Sequence, residues 1–149
     1  MRAEIADALK TAIRTQDKKR ATTLRLINAA IQDRDIANRG QGKDQVSDDD
    51  ILQILTKMVK QREESAKAFE EGHRIDLAEQ ERSEIAIIRD FLPKQMADDQ
   101  VRNVCQKVIE EVGADGLRDM GRCINALKEK YPGQMDLGKA SGIVKTMLR

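Results

Sequence analysis

Aromatic side chains are almost missing from this 149-residue sequence: Phe69, Phe91 and Tyr131 make up the whole 2%, and there is no tryptophan. A core built without rings must be aliphatic. Strands draw on β-branched and aromatic residues, whereas the abundant Ala, Leu, Met, Glu, Lys, Gln and Arg favour helices. The same scarcity excludes the stacking platform on which single-strand nucleic-acid binders rest their bases. Proline is limited to Pro93 and Pro132, each placed where a helix is expected to end. No apolar run reaches the 18 or more residues of a membrane span, and MRAEIADALK at the start has no apolar signal segment. The expected location is the cytoplasm, with no membrane partner. Two cysteines, Cys105 and Cys123, in a chain with no export signal are expected to be free and buried.

What is present is charge, at 36% of the residues against 40% hydrophobic, so the core must be thin and spread over amphipathic elements. The net charge of +1 does not mark a nucleic-acid binder, but its distribution is uneven. Residues 1–43 carry ten basic and five acidic groups, giving +5, and residues 44–99 carry eight and fifteen, giving −7. Residues 100–117 give −1, and residues 118–149, with seven and three, give +4. Two basic ends around an acidic middle hint at a polyanion.

The periodicity predicts an all-α protein. A first helix spans about residues 2–15, with Ile5, Ala8, Leu9, Ala12 and Ile13 on one face. Asp17 caps a second helix to about Asn38, with Leu24, Ile27 and Ile31 inward and Gly40 and Gly42 breaking it. Ser47 and three aspartates start a third helix, which carries Ile51, Leu55, Met58 and Phe69 and stops at Gly72, the expected left-handed residue. A fourth, from about Ile75 to Phe91, ends before Pro93. Residues 1–93 thus form a helical hairpin domain of about four helices. Residues 94–149 hold three apolar stripes, starting at Val101, Met120 and Leu137, and form a three-helix bundle.

Little in the chain suggests catalysis. His73 is the only histidine and sits beside a helix-ending glycine, with no spacing that supplies a nucleophile and an orienting group. Cys105 and Cys123 lie on apolar stripes, no zinc-type spacing occurs, and a helix start accounts for Asp48–Asp50 without a metal. No catalytic, cofactor-binding or metal-binding residue is assigned, and no cofactor is expected. Gly138 and Gly142, four apart, would let another helix or backbone lie close.

The residues Arg25-Leu26-Ile27, Lys60–Ser65, Gly72–Leu77, Phe91–Met96, Val112-Gly113-Ala114 and Asp119-Met120-Gly121 stand in an order and spacing that resembles the GatB/YqeY family along the whole chain. Where that family usually has Ser before acidic residues after its Leu-Pro motif, this chain has Ala97-Asp98-Asp99, so the helix cap must shift to Asp98 or weaken. The resemblance implies an N-terminal helical domain followed by a three-helix domain similar to the tail of the tRNA-dependent amidotransferase B subunit, which touches tRNA. The catalytic portion of that subunit is absent, so transamidation by this chain alone is not expected.

Lys18, Lys19 and Arg25 at the start of the second helix, and Arg122, Lys128, Lys130, Lys139 and Lys145 near the C-terminus, are the candidate nucleic-acid-binding residues. Such cations contact phosphates and carry no base-reading information. The partner these cations predict is a structured RNA, and the resemblance implies tRNA, together with an aminoacyl-tRNA synthetase or amidotransferase complex. Two alternatives stand beside it. One is a protein-interaction adaptor that binds no RNA; the other is an auxiliary of a glutamine-dependent carbon–nitrogen ligase complex.

Overall fold

The structure, a computed structural model, describes all 149 residues, and every regular element is helical. Seven α-helices follow one another: α1 Arg2–Arg14, α2 Lys18–Gly40, α3 Asp48–Glu71, α4 Ile75–Arg89, α5 Asp98–Val112, α6 Met120–Lys130 and α7 Leu137–Met147. A single 3₁₀ turn, Leu117–Asp119, leads into α6. The all-α expectation therefore holds. The chain divides into two compact units, Met1–Leu92 and Pro93–Arg149, each with its own core.

Four of the helices end in one motif. A residue one or two places past the helix adopts the left-handed conformation, its N–H bonds three residues back, and the next N–H bonds five residues back. Gly42 (φ 69°) closes α2 this way, with Gly42 N–H to Arg39 and Lys43 N–H to Asn38, and Gly113 (φ 66°) closes α5. At the ends of α1 and α3 the left-handed residue is Gln16 (φ 60°) or His73 (φ 60°), with no glycine. This corrects the expectation for Gly72, whose φ is −86°. The hydrogen bonds decide it: Arg74 N–H reaches Phe69 and His73 N–H reaches Glu70, so the chain must reverse one residue later than the glycine. His73→Gly should stabilise the first unit by about 0.5–1 kcal/mol, because glycine adopts positive φ without a Cβ clash. Urea denaturation of the two proteins checks this.

Helix starts follow their side chains. Asp17 accepts from the N–H of Arg20, and Ser47 and Asp50 cap each other's backbone at 3.2 and 3.3 Å. At the start of α5, Ala97 has no acceptor to offer. Gln100 supplies half of a capping box instead, accepting from the Ala97 N–H at 3.0 Å, and Asp98 takes no part.

In the first unit, Arg2 reaches Asp35 near the far end of α2, so α1 runs antiparallel to it. On α3 and α4, Glu63 pairs with Arg89 and Glu70 with Arg82, an antiparallel ladder with one pair every two turns. Ile5, Leu24, Ile27, Ile51, Leu55 and Ile88, all fully buried, form the centre of the core. Ile13 does not join them; it is 51% exposed. It lies one position from Ala12, which already fills the last core-facing place on α1.

In the second unit α5, α6 and α7 each pack on the other two. Cys105, Cys123, Leu127, Ala140 and Val144 are fully buried between them. Burial pushes both thiols above the ordinary cysteine range, which keeps them protonated and poor nucleophiles. Gly142 is exposed, and a Cβ built there meets nothing within 4 Å, so no helix of this chain uses it for close packing.

Candidate nucleic-acid interface

The eight candidate cations fall into the two units, three in the first and five in the second. In the second unit, burial of Cys123 and Leu127 on α6 turns Lys128 outward, and burial of Ala140 and Val144 on α7 turns Lys145 outward. Both are exposed and neither has a carboxylate partner.

Arg122 and Lys130 behave differently. They are eight residues apart on α6, and both converge on the last turn of α5. Arg122 donates to the carbonyl of Val112 and to Asp119, while Lys130 pairs with Glu111. The α5 helix has no basic residue in its own last turn. A helix C-terminus carries unpaired carbonyls and partial negative charge, and α6 supplies the two cations that satisfy it. The bond from Lys130 holds the Glu111 carboxyl below its usual range, and the same contact raises Lys130. Asp119 is lowered chiefly by the N–H of Asp115, then by Arg122. These two cations therefore join α5 to α6.

Lys139 pairs with Asp98 in the first turn of α5, where both side chains are mostly exposed. Exposed pairs contribute little, and with Asp98 80% exposed against 39% for Glu111, this one exchanges the more readily for a competing anion.

In the first unit Lys18 and Lys19 line an open groove of about 540 Å³ between α2 and α4. Its other wall is Asp76, Glu79 and Glu84, so a phosphate entering it would meet three carboxylates. The neighbouring Arg20 is engaged, donating to Asp90 at 2.8 Å and lying 5.9 Å from the Phe91 ring. Arg25, one turn further along, is exposed and has no carboxylate partner.

Further exposed cations of the second unit stood outside the eight candidates, among them Arg102 and Lys107 on α5, Arg118 in the 3₁₀ turn and Lys94 before α5. The net −1 of residues 100–117 hid the first two. Their places beside Val101 and Val108, off the apolar stripe, were the signal that could have found them.

Comparison with known proteins gives a consistent picture. The sequence profile described as "Yqey-like protein" matches residues 2–148. An uncharacterized protein of Schizosaccharomyces pombe is 32% identical over 98 residues, covering 66% of this chain and 76% of that protein. "Altered inheritance of mitochondria protein 41, mitochondrial" of Lachancea thermotolerans is 33% identical over 90 residues, 60% of this chain but 46% of its own length. The protein of the same name in Clavispora lusitaniae is 27% identical over 143 residues, covering 94% and 80%. The mitochondrial location belongs to those yeast names. In this chain, no helix is long and apolar enough to cross a membrane. With the family profile spanning nearly every residue, this chain belongs to the YqeY-like protein family.

Proposed function

We propose that this chain is a non-catalytic accessory protein of tRNA metabolism that binds structured RNA through the outward cations of its C-terminal unit. The observation that carries the reading is the pair Lys128 and Lys145, exposed and without carboxylate partners on helices that pack together. Lys139 adds a third phosphate contact once it exchanges Asp98 for the RNA. Arg122 and Lys130, occupied at the end of α5, drop out of the interface. So do Lys18 and Lys19, which face an acidic wall. The likeness of this unit to the tail of the tRNA-dependent amidotransferase B subunit supports the choice of tRNA. The proposed setting is the cytoplasm, beside an aminoacyl-tRNA synthetase or amidotransferase complex.

The aromatic residues favour a duplex or folded RNA over a single strand. Phe69, Phe91 and Tyr131 are all partly buried, and no aromatic side chain stands free for bases to stack on. Recognition through backbone and shape remains.

The test is a filter-binding titration of total tRNA against the full chain at several salt concentrations. Micromolar or tighter binding that weakens steeply with salt is expected. Removing both lysines (Lys128→Ala with Lys145→Ala) should flatten the slope of log affinity against log salt by about two, roughly one per lost phosphate contact. Lys130→Ala should leave the slope unchanged. No binding at low salt, or a double variant with the wild-type slope, overturns the proposal.

A further inference from the structure

The outward face of α2 carries a stripe that no other part of its unit covers. Thr22, Leu26, Ala29, Asp33, Ile36 and Gly40 follow one another at alternating spacings of four and three, and all six are exposed. Leu26 is 43% and Ile36 64% exposed, the latter the most exposed of the chain's large hydrophobic residues. Alternating four-three spacing keeps one line of residues facing a second helix over several turns. The stripe spans Thr22 to Gly40, about 27 Å at 1.5 Å per residue. Its small members also let a partner approach closely: a Cβ built at Gly40 meets nothing within 4 Å.

Charge chooses among occupants. Arg25 and Arg39 flank the stripe on one side, both exposed, while Asp33 is the one acidic residue within it. A second copy is a poor fit. The antiparallel register that sets Leu26 of one chain on Ile36 of the other also sets Arg25 against Arg39, once on each side of the two-fold axis. Like charges facing each other at flanking positions disfavour pairing. A helix with an apolar stripe and acidic flanks meets no such conflict.

We propose that α2 is a docking surface for an acidic amphipathic helix of a partner protein, which lays its apolar stripe along Leu26, Ala29 and Ile36 and its carboxylates against Arg25 and Arg39. One helix's length of contact makes a small interface, suited to transient association. The site lies in the N-terminal unit and stands independently of RNA binding by the C-terminal one.

The experiment uses the full chain and a fluorescent three-heptad peptide with Leu at its stripe positions and Glu at its flanks, compared with the same peptide carrying Lys at the flanks. Anisotropy should show saturable binding of the Glu peptide and none of the Lys peptide. Leu26→Ser with Ile36→Ser should weaken binding about tenfold or more, since both contacts are apolar. Both positions are exposed, so the helical circular dichroism should not change. Arg25→Glu with Arg39→Glu should weaken binding further as salt is lowered. Equal binding of the two peptides, no binding at millimolar peptide, or binding indifferent to the serine variant overturns the proposal. Two other results also overturn it. A dimer in sedimentation that the serine variant abolishes would assign the face to a second copy. Weakened tRNA binding by the serine variant would assign it to RNA.

Discussion

Leu127→Ala is expected to lower the unfolding free energy of the C-terminal unit by about 2–5 kcal/mol, the range for removing a fully buried leucine. Leu127 is completely buried on α6 and shares its core with Val101, Cys105, Val108, Cys123, Met135, Ala140 and Val144. Apart from Met135, in the link before α7, these neighbours are small or β-branched and lie on three short helices, so they close poorly around a cavity. The unit runs only from Pro93 to Arg149. A unit this short buries a modest fraction of its surface and has little stability to lose. Hydrogen exchange should therefore show the amides of α5, α6 and α7 losing protection. Lys128→Ala, on the solvent side of the same turn, should leave exchange unchanged. A shift below about 1 kcal/mol for Leu127→Ala would mean that the core is not packed as described.

The second large effect lies between α3 and α4. Arg62 donates to Glu84 at 3.0 Å and to the carbonyl of Met58 at 3.3 Å, and the Arg62 and Glu84 side chains are only 15% and 16% exposed. Glu81, one turn before Glu84, stands on the same inward stripe as Ala78, Ile85 and Ile88. Burial raises its carboxyl above the usual glutamate range, and the neighbouring Glu84 charge adds to this. One guanidinium thus serves two partly buried carboxylates. Arg62→Met keeps much of the side-chain bulk but leaves those charges facing each other, at a cost of about 2 kcal/mol, below that of a fully buried pair because some water reaches the site. Glu81→Gln in that background should recover part of the loss. A loss unaltered by Glu81→Gln would count against the shared guanidinium.

The pH dependence follows from the same groups, with opposite signs. The Arg2 guanidinium and the Val46 N–H hold Asp35 below the ordinary aspartate value of 3.8. Its contribution is fully present above that value and is lost as pH falls through the folded-state pKa. Glu81 is raised above 4.5, so its folded-state penalty is absent in acid and grows as pH rises from 4.5 through the folded-state pKa. In urea unfolding against pH, Asp35→Asn should flatten the acid limb. Glu81→Gln should raise stability at neutral pH and have no effect in strong acid.

The helices were legible because their signals are local. Val101, Cys105 and Val108 recur at helical spacing, Ser47 precedes Asp50 by three, and Asp17 stands before α2; each is a relation within one or two turns. Where a local choice had a near-equal competitor, the sequence was a poorer guide. Gly72 and His73 were both able to reverse the chain, and the bonds to Phe69 and Glu70 chose the histidine. Ala97 lacked a cap, and Gln100 supplied one from inside the helix.

By itself, then, the sequence determined an aliphatic all-helical chain, most of its turns, its family and eight of its outward cations, since composition and short-range spacing are enough for each. Only the tertiary structure decided what those cations do. Arg122 and Lys130 look like Lys128 in a helical pattern, yet they are committed to the end of α5, because a helix packed alongside left carbonyls and a carboxylate within their reach. Lys18 and Lys19 look like a basic patch until α4 brings Asp76, Glu79 and Glu84 opposite them. Whether a charge is free depends on neighbours far away in sequence but close in space, since charges more than about 8 Å apart are largely screened at physiological salt.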